Sequence, residues 1–159
     1  MVDVDAHGLW VCGQALAKNG KKAVQERKTS LVMNIFHKDF ADFINAFEND
    51  QVQYILVGGL AVVLHGYNRT TGDMDLLVNP TEDNYYKMQN AFQEFGLPKT
   101  AIHLNEFLNP NEIDVFTFGR PPLAIDVMTK MQGVTFEEAY AKSLEMEVES
   151  LKVRIPKLV

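Results

Sequence analysis

The chain has 159 residues, 47% of them hydrophobic and 23% charged, with a net charge of −6. That is enough for one domain with a buried core, and the acidic balance argues against general binding to duplex DNA, which draws on a basic excess. The single cysteine, Cys12, rules out an internal disulfide and fits a reducing cytoplasm. No apolar run reaches membrane-span length, and the acidic start Met1 to Asp5 leads into no apolar signal core, so a cytoplasmic chain with no membrane partner is expected.

Residues 1–33 are dominated by small, polar and basic side chains, as in Lys18-Asn-Gly-Lys-Lys22. They read as a poorly ordered N-terminal arm, with a short helix around Ala23 to Val32, ahead of a compact domain spanning 34–159. Asn34 is placed to cap a helix running to about Glu48. Phe36, Phe40, Phe43, Ile44 and Phe47 recur along it at helical spacing and give one apolar face. Val52 to Val57 reads as a strand, and Leu60 to Leu64 as a short buried helix ended by Gly66. Met74 to Val78 is the next strand, stopped by Asn79-Pro80. Thr81 then caps a helix to about Phe95, closed by Gly96, with Tyr85, Met88, Ala91, Phe92 and Phe95 inward.

Ala101 to Leu108 is ambiguous, with a short helix as one reading. Ile113 to Phe118 and Leu123 to Met128 read as strands joined by Gly119-Arg-Pro-Pro122. Thr135-Phe-Glu-Glu138 is a capping box opening a helix to about Leu144. Glu145 to Val148 and Lys152 to Ile155 close the series as two short strands. The order is mixed α+β, a small twisted sheet flanked by helices.

The chemistry concentrates between Tyr54 and Val78. Gly58 and Gly59 form a turn between a strand and a helix, where backbone amides can approach phosphate without a Cβ in the way. Asp73 and Asp75 stand two residues apart at the next strand, so both side chains share a face. Carboxylate pairs of this kind suit magnesium, which takes carboxylate, phosphate and water oxygens. The plain alternative is a solvated strand edge, which sits poorly before so apolar a strand. A third acid has two candidates. Asp126 lies inside the apolar Leu123-Ala-Ile-Asp-Val-Met128, where it needs a partner or a metal. Its rival is Asp114, which a surface position on an outer face would equally explain.

Arg69 offers a guanidinium to phosphate oxygens or is a solvated loop arginine. Thr70 and Thr71 offer hydroxyls to phosphate or to their own turn. His65 reads as a helix-end or packing residue, and Lys130 as an exposed lysine within reach of phosphate. Other chemistries lack their residues: there is no Ser-His-Asp arrangement, no Cys/His cluster and no Gly-x-x-x-x-Gly-Lys loop.

In chain order, Gly58, Gly59, Ala61, His65, Gly66, Arg69, Thr71, Asp73 and Asp75 resemble the nucleotidyltransferase superfamily that includes DNA polymerase β, in its small stand-alone form. The resemblance covers most of residues 34–155. It implies a polymerase β-like core and metal-dependent transfer of a nucleoside monophosphate from a nucleoside triphosphate, such as ATP, to an acceptor. It implies Asp73, Asp75 and Asp126 as catalytic and metal-binding residues for magnesium or manganese, favouring Asp126 over Asp114. Gly58, Gly59, Arg69 and Thr71 fall to the nucleotide. Similar enzymes modify antibiotics, and others act on a protein or tRNA as members of toxin–antitoxin pairs. Relatives commonly continue with C-terminal helices where this sequence reaches Ile155-Pro-Lys-Leu-Val159. Missing C-terminal helices are therefore expected, with a partner protein or a homodimer as the means of completing the site. The alternative function is a non-catalytic or truncated module that binds nucleotide or a partner.

Overall fold

The structure is a computed structural model that describes residues 36–120, 122–148 and 150–157. The expected N-terminal arm and the Asn34 cap lie outside the described residues. The first helix, α1 (Lys38–Asn49), begins later than its sequence pattern suggests, because His37 caps it. The His37 ring nitrogen Nδ1 accepts from the Asp39 amide at 3.2 Å, and Phe36 precedes the helix half-buried. Its apolar face buries Phe40, Phe43, Ile44 and Phe47, as the periodicity predicts, and Ala46 beside them. The Phe43 ring meets those of Phe47, Phe92, Phe95 and Phe118. Each fully buried phenylalanine contributes about 1.5–3 kcal/mol.

Strand β1 is Tyr54–Val57, shorter than expected at its start. Val52 still belongs to the end of the helix, since its amide donates to the Phe47 carbonyl at 2.9 Å across the left-handed Gln51. Helix α2 (Gly58–Leu64) starts two residues earlier than expected, taking in Gly58 and Gly59 in place of a separate turn, and β2 (Met74–Val78) matches its expected span. Helix α3 (Glu82–Phe95) also has its predicted ends. The Thr81 hydroxyl accepts from the Asn84 amide at 3.3 Å, and Gly96 closes it at φ 101°. The ambiguous segment resolves into a 3₁₀ turn at Lys99–Ala101 and a short helix α4 (Leu104–Leu108).

Strand β3 is Val115–Arg120, two residues further along than expected, and β4 is Leu123–Met128. Gly119 and Arg120 look like turn residues but pair with Ala124 and Leu123. Helix α5 (Phe136–Ala141) has both hydrogen bonds of the Thr135–Glu138 capping box, yet ends before Leu144. The reason is long-range. Ser143 already pairs with Pro156, opening a hairpin of β5 (Ser143–Val148) and β6 (Leu151–Pro156).

The fold is α+β, with a small mixed sheet and helices. Four strands run in the order β1-β2-β4-β3, with β2 and β4 parallel and both outer pairs antiparallel. Alternation divides the sheet into two faces. Tyr54, Leu56, Met74, Leu76, Val78, Ile125 and Val127 join the main core with α1 and α3. Ile55, Val57 and Leu77 point the other way, where Phe136 of α5 covers part of them. The hairpin buries Leu151, Val153 and Ile155 in the main core, with β6 beside β1 and α1. At the far end of β1 and β2, Asn84 ties the chain together. Its side chain accepts from the Gln53 amide at 2.8 Å and donates to the Gln53 and Asn79 carbonyls.

Candidate active site

Asp75 lies within β2 between Met74 and Leu76, both with no exposed surface. Those two neighbours drive into the core, so Asp75 must face the opposite side of the sheet. Strand β2 begins at Met74, and Asp73 stands just before it, exposed. Asp75 pairs with Val57 on one side and with Asp126 on the other, and Asp126 pairs with Thr117. The row Val57, Asp75, Asp126, Thr117 thus crosses all four strands on one face. Neighbouring strands lie about 4.8 Å apart, so the two carboxylates are held side by side.

Each acid has a distinct environment. The Thr117 hydroxyl donates to Asp126 Oδ1 at 2.6 Å. The carboxyl of Asp75 is held above the usual carboxylate range, first by burial, then by the charges of Asp126 and Asp73. The Arg69 guanidinium opposes that shift, so this exposed arginine lies within electrostatic reach of Asp75.

Gly58 fits the same place from the β1 side. It adopts φ 69°, in the left-handed region, and a Cβ there would stand 2.1 Å from Asp75 Oδ2. Only glycine lets the backbone come this close to the carboxylate without displacement. Gly59 approaches Thr71 in the same way, since a Cβ would meet its Cβ and Oγ1 at 2.8 Å. The Thr71 hydroxyl donates to the Asp73 carbonyl at 3.2 Å. The residues singled out from the sequence, Gly58, Gly59, Arg69, Thr71, Asp73, Asp75 and Asp126, therefore converge on one end of β2.

The rival acid does not converge. Asp114 is exposed ahead of β3, and its carbonyl accepts from the Thr129 amide at 2.9 Å. The Lys130 ammonium donates to Asn111 Oδ1 at 2.8 Å. His65 Nε2 lies 2.7 Å from the Pro156 carbonyl, which ties the end of α2 to β6. Thr117 does not stand out in the amino-acid sequence. Its only signal is the alternation Phe116-Thr117-Phe118, and the strand register alone reveals its partner.

Among the described residues, no three His, Cys, Asp or Glu side chains are gathered tightly enough to hold an ion by themselves. The donor set is a side-by-side carboxylate pair with a third acid at its edge. This fits magnesium, which binds through one or two carboxylates and takes its other ligands from phosphate and water. It fits a dedicated all-protein cage poorly. No family model matches the chain, and neither the curated proteins nor the solved structures include a match to it.

Proposed function

We propose that the protein is a nucleotidyltransferase with a polymerase β-like core, moving a nucleoside monophosphate from a nucleoside triphosphate to a hydroxyl-bearing acceptor. The observation that carries this reading is the row of Asp75 and Asp126 in register on parallel strands, with Gly58 against the Asp75 carboxylate. Isolated acids on a strand are ordinary. Two acids held side by side on one face, one of them half-buried with glycine packed against it, repel each other, and a bound cation offsets that repulsion.

In this reading Asp75 and Asp126, with Asp73 at their edge, hold magnesium or manganese. A divalent ion bound there supplies stabilisation of the attacking and leaving oxygens. Gly58 and Gly59 let the backbone approach the triphosphate, and Thr71 holds the loop against Gly59. Arg69 contributes positive charge to the phosphates. The acceptor oxygen forms a bond to the α-phosphorus, and the bond to the bridging oxygen of pyrophosphate breaks. Asp126 takes the hydroxyl proton on Oδ2, since Oδ1 is already engaged by Thr117. Pyrophosphate leaves.

The test is metal-dependent pyrophosphate release from ATP, GTP, CTP and UTP over a panel of hydroxyl-bearing acceptors, for wild type, Asp75→Asn and Asp126→Asn. Release by wild type that both substitutions abolish supports the reading. Release that survives both substitutions removes these residues from the chemistry. Metal-dependent nucleotide binding with no release against any acceptor favours the non-catalytic binding module.

A further inference from the structure

On the same sheet face as Asp75 and Asp126 lies a cavity of about 610 Å³. Its floor is Ile55, Val57 and Leu77, the outward residues of β1 and β2. Val134 and Ala139 form its wall, from α5 and the segment before it. It ends at Gly58, the residue that touches the Asp75 carboxylate, and Val57 is Asp75's own register partner. The cavity and the carboxylate row therefore share a wall. Its volume falls within the range of about 300–1,000 Å³ typical of sites for small molecules.

Two cations line the cavity as well. Lys142 and Lys157 are both exposed, and the Lys157 amide donates to the Lys142 carbonyl at 2.9 Å, which holds the two residues side by side. Glu138 is near enough to feel Lys142, but its carboxylate is already engaged by the Thr135 amide at 3.0 Å. In a chain of net charge −6, two adjacent cations at an apolar opening are a local reversal of sign.

We propose that this cavity is the acceptor subsite, and that it takes a small amphipathic molecule: an apolar body with one anionic group. The apolar body lies over Ile55, Val57 and Leu77, and the anion meets Lys142 and Lys157. A nucleobase is a poorer occupant, because its hydrogen-bonding edges would face aliphatic side chains that cannot answer them. The role of the occupant as acceptor rests on the nucleotidyl-transfer reading, whereas the binding itself does not.

Anilinonaphthalene sulfonate, an aromatic body with one sulfonate, is the probe. Its fluorescence is titrated with the full chain, wild type and variants, each checked for unchanged cooperative urea unfolding. Saturable one-site binding is expected. It should weaken at least about tenfold in Ala139→Phe, which fills the cavity, and by a similar factor in Lys142→Gln/Lys157→Gln, which leaves the apolar lining intact. Asp75→Asn should bind the probe as wild type does. Saturating magnesium–ATP should leave the probe in place. Non-saturable binding, or binding unchanged in both cavity variants, overturns the site. Displacement of the probe by magnesium–ATP overturns the acceptor role and makes the cavity the nucleoside's. Probe binding with no metal-dependent triphosphate binding in wild type refutes nucleotidyl transfer, and the acceptor role with it, while the cavity still binds.

Discussion

Replacing Gly58 by alanine places a methyl group at the narrowest point of the candidate site. Two costs arise. At φ 69° an L-residue sits in the left-handed region, at about 1–2 kcal/mol, of which a stiffer unfolded chain returns about 0.4–1 kcal/mol. The new Cβ would also stand 2.1 Å from Asp75 Oδ2 and 3.0 Å from its Cγ, so the carboxylate must retreat by roughly 1 Å to reach ordinary contact. The obstructing atom is the end of a short side chain, which can turn. Relief therefore costs about 1 kcal/mol, the low end for overpacking, and the total loss of stability is about 1–3 kcal/mol. In the proposed reaction function bears the larger share, because a displacement of about 1 Å in a group holding the metal can cost on the order of a hundredfold in rate. Gly96→Ala is the matched control: Gly96 has φ 101°, and nothing lies within 4 Å of the Cβ position. Urea unfolding and metal-dependent nucleotide binding are measured on both variants. Gly96→Ala should lose only the backbone cost and bind normally. A Gly58→Ala variant that loses no stability beyond its backbone cost and binds nucleotide as wild type does would refute the close approach of Gly58 to Asp75.

Other outcomes follow from the same geometry. Phe43 has no exposed surface and touches four other aromatic rings, so Phe43→Ala should cost about 3–5 kcal/mol by urea unfolding. Thr117→Val removes the donor to Asp126 Oδ1 and should weaken metal-dependent nucleotide binding. Thr117→Ser should restore it, and equal weakening by both would show that the hydroxyl is not what matters. The Glu138 carboxyl is held below its ordinary range by the Thr135 amide and hydroxyl, so it stabilises the folded chain when ionised. The stability advantage of wild type over Glu138→Gln should be present near neutral pH and disappear as pH falls through the carboxylate range. Thermal unfolding from neutral pH to about pH 3 would check it.

Much of this arrangement is legible in the amino-acid sequence alone. Helix α3 carries its own start and stop in Thr81 and Gly96, and β2 is bounded by its apolar run and Asn79-Pro80. Asp126 stands out because an acid inside so apolar a strand needs a reason to be there. What escapes are features set by distant pairing. Leu144 continues the apolar pattern of α5, yet Ser143 is already claimed by Pro156. Arg120 looks like part of a turn, yet pairs with Leu123. His37 is an unusual cap, so the pattern places the start of α1 at Asn34 instead. Thr117 becomes notable only once β3 and β4 are aligned, and the shared wall of the cavity only once α5 is laid over the sheet. The spacing of Asp73 and Asp75 is local information. The placing of Asp126 beside Asp75 is not, and it is the observation on which the proposed site rests.

The carboxylate row is tested by calorimetric titration of ATP, GTP, CTP and UTP, with and without magnesium, into wild type and Asp75→Asn. Binding of at least one triphosphate that requires the metal and is lost in Asp75→Asn is the expected result. That variant should itself remain folded, because it removes a charge that Asp126 and Asp73 oppose. Metal-dependent binding that persists unchanged in Asp75→Asn, or triphosphate binding indifferent to magnesium, would contradict the assignment of this carboxylate row.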